Sequence, residues 1–79
     1  MSEINHPTGK QLAAARALLG IGQVELAKAA NISAPTLRRM EASTGPVEGM
    51  KNNVAAVLHV LHDHNIEFID GGVRFRERI

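Results

Sequence analysis

The sequence predicts a mostly α domain, four helices followed by a C-terminal β-hairpin. Three observations carry this expectation. Apolar residues recur at helical spacing through residues 11–40 and again through 54–61. Gly20, Gly22, Asn31 and Pro46 interrupt that pattern where helices should stop or start. Beyond residue 65 the pattern changes to two short β-prone runs on either side of Asp70-Gly71-Gly72, a turn signal.

Each element has a local cause. Thr8-Gly9-Lys10-Gln11 reads as a capping box, with Thr8 at the N-cap and Gln11 three residues into the helix. Pro7 discourages helix before it. The Ala- and Leu-rich stretch that follows favours helix until Gly20 ends it. Gly22 caps a second helix, with Glu25 in its first turn, reaching about Ala30. Val24, Leu26, Ala27 and Ala30 are expected on its inner face. Asn31 tolerates the left-handed backbone that terminates a helix. Ser33 caps a third helix from about Ala34 to Met40, where Pro35 is accommodated in the first turn. Leu37 and Met40 share one face of it. Residues 42–49, with Pro46 and two glycines, are expected as a loop. Residues 50–64 form a fourth helix carrying Val54, Val57, Leu58 and Leu61 inward, and Asn65 ends it. Ile66-Glu67-Phe68-Ile69 and Val73-Arg74-Phe75-Arg76 are the strands.

A chain of 79 residues holds one domain. Its expected organisation is a tail over residues 1–7, a helical domain over 8–64 and a hairpin over 65–79. A domain this short buries only about 60% of its unfolded surface, so a second copy is a natural source of added stability. Hydrophobic residues at 44% fit a globular chain. No apolar run approaches the length of a membrane span, and residues 1–10 have no apolar signal segment. The absence of cysteine excludes disulfides and thiolate metal sites and suits a reducing cytoplasm, the expected location.

The net charge of +1 conceals an uneven distribution. Residues 10–51 carry Lys10, Arg16, Lys28, Arg38, Arg39 and Lys51 against three Glu, a balance of +3, whereas residues 52–79 balance at −1. Binding to phosphates requires a local basic surface, and the first segment supplies one. His59 and His62 lie three apart on one helix face, but no further ligand accompanies them, so no metal is expected. No nucleophile stands beside a base, and no paired carboxylates suggest catalysis, so neither an enzyme nor a cofactor is implied. Phe68 and Phe75 are the only aromatic residues, too few for a base-stacking RNA platform.

Helices two and three have the spacing of a helix-turn-helix over Gln23 to Met40. Ala27 is small where the two helices must approach. Asn31 follows four residues later at the turn, Leu37 six further on, and Met40 one turn beyond that. The segment GQVELAKAANISAPTLRRME resembles the helix-turn-helix of the phage-repressor and Cro-like (XRE-type) regulators. That family opens its second helix with Gln, follows with Leu-Ala, turns on Gly, starts the third helix with Ser and ends it with Glu. Gln23, Leu26-Ala27, Asn31, Ser33 and Glu41 stand at those places. The resemblance spans residues 8–64, and the IEFI and GGVR runs resemble small bacterial members that end in a strand pair. Asn31 replaces the usual Gly, Gly22 the usual Thr or Ser, and Pro35 is unusual in such a third helix.

The resemblance, joined to docking geometry, implies roles for individual residues. Ser33, Ala34, Thr36 and Arg39 would meet base edges, Arg39 by bidentate bonding to guanine and Ala34 and Thr36 by touching a thymine methyl. Gln23, Arg38, Lys51 and Asn52 would meet phosphates. Arg16 and Glu41 match an ion pair between the first and third helices. The hairpin leaves Ile66, Phe68, Val73 and Phe75 in need of cover, and these are expected to form a two-fold dimer contact, by strand pairing, by packing on helix four, or both; the alternative is a hairpin folded on its own helix four. The expected function is therefore a sequence-specific double-stranded DNA-binding regulator, a repressor acting as a homodimer on a palindromic operator. The alternative is an antitoxin or adaptor that uses the same fold to bind a protein partner.

Overall fold

The computed structural model describes residues 6–43 and 49–77. The elements run α1 (Gly9–Leu19), α2 (Gln23–Ala29), α3 (Ala34–Glu41), α4 (Lys51–Asp63), β1 (Ile66–Ile69) and β2 (Gly72–Phe75). The chain is thus mostly helical with a C-terminal antiparallel two-stranded sheet. Most of the loop expected over 42–49 lies outside the described residues. So do residues 1–5 of the expected tail. Pro7, assigned to that tail from the sequence, is fully buried, so the packed fold begins before Thr8.

The helix ends follow from local chemistry. Thr8 Oγ1 accepts from Gln11 N at 3.1 Å, and Gln11 Oε1 accepts from Thr8 N at 2.8 Å, so both halves of the capping box are made. Gly20 closes α1 at φ 73°. Its N–H donates to Ala17 O and the N–H of Ile21 to Arg16 O, the paired bonds of a Schellman motif. Asn31 closes α2 in the same way at φ 58°. Its N–H donates to Lys28 O, and Ile32 N–H donates to Ala27 O. Glu25 Oε1 accepts from Gly22 N at 3.2 Å. Asn65 ends α4 with φ 65° and leads straight into β1.

One core unites the elements. Leu12 and Ala15 come from α1, Leu26 and Ala27 from α2, Leu37 and Met40 from α3, Val57 and Leu61 from α4, and Ile66 and Phe68 from β1. Ala30, just after α2, completes it. Val54 and Leu58 pack partly against it. Val24, expected to face inward, is 69% exposed. Leu26, Ala27 and Ala30 define the buried stripe, and Val24 lies roughly a third of a turn from its centre.

The hairpin pairs Ile66 with Phe75, Glu67 with Arg74, Phe68 with Val73 and Ile69 with Gly72. At its tip only Gly71 takes a positive φ. β1 packs on α4 and β2 on α1. Ile66 and Phe68, assigned from the sequence to a contact between copies, are instead inside this chain's own core. Burying them there removes apolar area that a lone hairpin would leave wet. No helix among the described residues is long and apolar enough to cross a membrane.

Candidate nucleic-acid interface

The short α3 presents two unlike faces. Leu37 and Met40 are buried against α1 and α2, which fixes the helix on the globule. Pro35, Arg38 and Arg39 are exposed on the other side. Residues three and four apart share a face, so burial of Leu37 and Met40 leaves Arg38 and Arg39 to solvent. Ser33 caps the helix by accepting from Thr36 N at 3.2 Å, and its hydroxyl is 2.7 Å from that of Thr36. The two hydroxyls therefore form one exposed donor–acceptor pair at the start of α3.

The remaining residues divide. Ala34 is half-buried and packs against the core, so its methyl is less free to meet a base than the sequence suggested. Lys51 and Asn52 open α4 and are exposed. Asn52 borders a groove with Asn31 at the end of α2, whereas Asn53 shares a surface hollow with Thr36 and Arg39. Helical rotation decides this, since consecutive residues point about 100° apart. Asn53 is thus the neighbour of the α3 face that the sequence did not single out.

Gln23 has an internal partner. Its Nε2 donates to Glu41 Oε1 at 2.9 Å, which leaves the amide's second N–H for any phosphate. The same carboxylate receives Arg16. Nε of Arg16 donates to Oε2 at 2.9 Å and Nη2 to Oε1 at 3.0 Å, and Nη1 donates to Ile21 O at 3.2 Å. The Glu41 side chain is only 6% exposed and that of Arg16 22%. The hydrogen bond to Glu41 raises the Arg16 pKa above the ordinary guanidinium value; partial burial opposes the shift and the carboxylate charge assists it. The cluster joins α1, α2 and α3 and sets the angle at which α3 stands.

Two further positions hold the frame. Gly9 at the start of α1 lies against the end of α3. A Cβ there would sit 2.6 Å from the carbonyl oxygens of both Met40 and Glu41. The buried Gln11 uses its Nε2 to donate to Ile69 O at 2.8 Å and Gly72 O at 2.9 Å, tying the hairpin tip to α1. Neither role is visible in sequence, because both depend on partners distant along the chain. Nε2 of the exposed His59 lies 3.6 Å from Oδ2 of Asp63, and among the described residues no three His, Asp or Glu side chains converge as a metal site.

No family model matches the chain, and no curated protein matches it significantly.

Proposed function

We propose that this chain is a sequence-specific double-stranded DNA-binding transcriptional regulator, a repressor that occupies its operator as a homodimer. In this reading α2 and α3 form a helix-turn-helix like that of the Cro-like regulators, and α3 enters the major groove. The observation that carries it is the division of α3, with Leu37 and Met40 buried and Arg38 and Arg39 exposed beside the Ser33–Thr36 hydroxyl pair. An exposed, firmly seated helix with donors along one side suits base-edge recognition. Arg39 reads guanine, the Ser33 and Thr36 hydroxyls read an adjacent base, and Arg38, Lys51 and the free N–H of Gln23 hold phosphates. The test is titration of duplex DNA at several salt concentrations. Lys51→Ala should weaken all sequences alike and reduce the salt slope by about 1, whereas Arg38→Ala and Lys51→Ala together should reduce it by about 2. A slope unchanged in both variants removes the phosphate assignments.

A further inference from the structure

Ile66, Phe68, Val73 and Phe75 lie on one face of the hairpin, because Ile66 stands opposite Phe75 and Phe68 opposite Val73. The helices cover that face unevenly. Ile66 and Phe68 are 1% and 4% exposed, Val73 is half-buried, and Phe75 is 49% exposed. Arg76 N–H donates to Asn65 O, which marks these residues as a hydrogen-bonded pair. By the alternation of an antiparallel ladder, Glu67–Arg74 and Ile69–Gly72 are hydrogen-bonded pairs too, and Phe68–Val73 and Ile66–Phe75 are not. The N–H and C=O groups of Val73 and Phe75 therefore point away from β1. Among the described residues nothing else bonds to them. β2 offers an open edge with an exposed aromatic ring at its end.

We propose that a second copy of this chain occupies the edge, β2 pairing antiparallel with the partner's β2 about a two-fold axis at Arg74. Two constraints set the register. A two-fold axis normal to the sheet keeps both apolar faces on one side, so inward residues meet inward residues. The outward-pointing backbone groups must meet one another, so Val73 and Phe75 form the hydrogen-bonded pairs. Centring on Arg74 sets Val73 opposite the partner's Phe75 and Phe75 opposite the partner's Val73, an aromatic–β-branched match on the covered face. Gly72 then faces the partner's Arg76 without crowding it. The two Arg74 side chains meet across the axis, but each is already neutralised by Glu67, Nε to Oε1 at 2.6 Å. The outer face becomes an acid–base–base–acid row. Centring on Phe75 would instead set Val73 against the partner's Glu77 and Arg74 against the partner's Arg76, an apolar–charged mismatch and a like-charge clash. Centring on Val73 would pair Val73 with its own copy but set the exposed Phe75 ring against the partner's Gly71, with no apolar match. The self-complementarity of β2 about Arg74 is what points to a second copy rather than an unrelated strand.

This interface deepens the homodimer reading and rests on it, but association can be measured without DNA. The full chain contains no cysteine, so Arg74→Cys supplies a single thiol. In the proposed register it meets its copy at a Cα separation of about 4.5 Å, within disulfide reach. Mild oxidation should give a covalent dimer, while Lys10→Cys should not. Phe75→Asp, with its cooperative thermal melt retained, should raise the dimer dissociation constant in sedimentation by about tenfold or more. A monomeric full chain, a dimer indifferent to Phe75→Asp, or a dimer that the Arg74→Cys thiols do not cross-link would each overturn the interface. DNA binding that survives any of these results would leave the DNA reading standing and this interface refuted.

Discussion

Arg16 and Glu41, 25 residues apart, meet through two parallel hydrogen bonds that join the first helix to the end of the third. Glu41 Oε1 accepts a further bond from Gln23, so one nearly buried carboxylate fixes three helices. Removing either charge leaves the other desolvated without its partner. Glu41→Ala should lose about 2–3 kcal/mol of stability in urea unfolding, the partial exposure of Arg16 holding the loss below that of a fully buried pair. Arg16→Met combined with Glu41→Leu should lose less than the two single changes added together. Additivity would mean that the two groups do not interact.

The pH dependence of this pair has a definite sign. The folded-state pKa of Arg16 is raised, so its contribution is full below the unfolded value and disappears only as pH rises through the folded value, in strongly alkaline solution. Urea titrations at neutral and mildly alkaline pH should therefore show the same difference between wild type and Arg16→Met. A difference that shrinks across that window would exclude Arg16 as its source.

Gly9 reverses an ordinary rule. Alanine replacing glycine in a helix usually stabilises by about 0.5–1 kcal/mol. Here the added methyl would collide with the backbone of α3, at 2.6 Å from Met40 O and 2.7 Å from Ser43 O. Gly9→Ala should lower stability by about 1–3 kcal/mol, shifting Tm down by about 4–8 °C for each kcal/mol. A melt at or above that of the wild type would mean that α1 and α3 do not touch at this point.

Gln11 joins two local structures that are far apart in sequence. Its side chain completes the α1 capping box and bonds two carbonyls at the hairpin tip. Gln11→Ala should cost about 2 kcal/mol and speed hydrogen exchange in β1 and β2 more than in α4. Gln11→Glu keeps the acceptor for Thr8 N but loses the donor, so it should speed exchange in the hairpin while leaving the start of α1 protected. Equal exchange in both segments would argue against a separate link to the hairpin.

The sequence was most legible where structure is local. Thr8 and Gln11, Gly20, Asn31, Ser33 and Asn65 each act within a few residues, and each terminates or caps the helix expected. The core-facing residues of α3 and α4 followed from periodicity. Val24 did not, because a helix of only two turns leaves the centre of its apolar stripe poorly defined. Packing was harder to read. Nothing near Gly9 signals the carbonyls of α3, and nothing near Gln11 signals the hairpin carbonyls 58 and 61 residues away. The Arg16–Glu41 pair was expected only through a family resemblance. The apolar residues of the hairpin were recognised, but their division between the chain's own core and an open edge depends on how α1 and α4 lie across it. On α3, the exposure of Arg38 and Arg39 follows from the spacing of Leu37 and Met40, whereas the partial burial of Ala34 and the place of Asn53 beside Arg39 required the fold.

The most direct measurement is selection of duplexes from a random pool by the full chain, followed by equilibrium titration of the enriched sequence and its single-base variants against wild type and Arg39→Ala. Enrichment of a two-fold sequence is expected, with half-sites about 34 Å apart. Arg39→Ala should erase about 1–3 kcal/mol of discrimination at one base pair in each half-site and leave discrimination elsewhere intact. A pool that shows no enrichment, or an Arg39→Ala protein with unchanged base preference, would contradict the account.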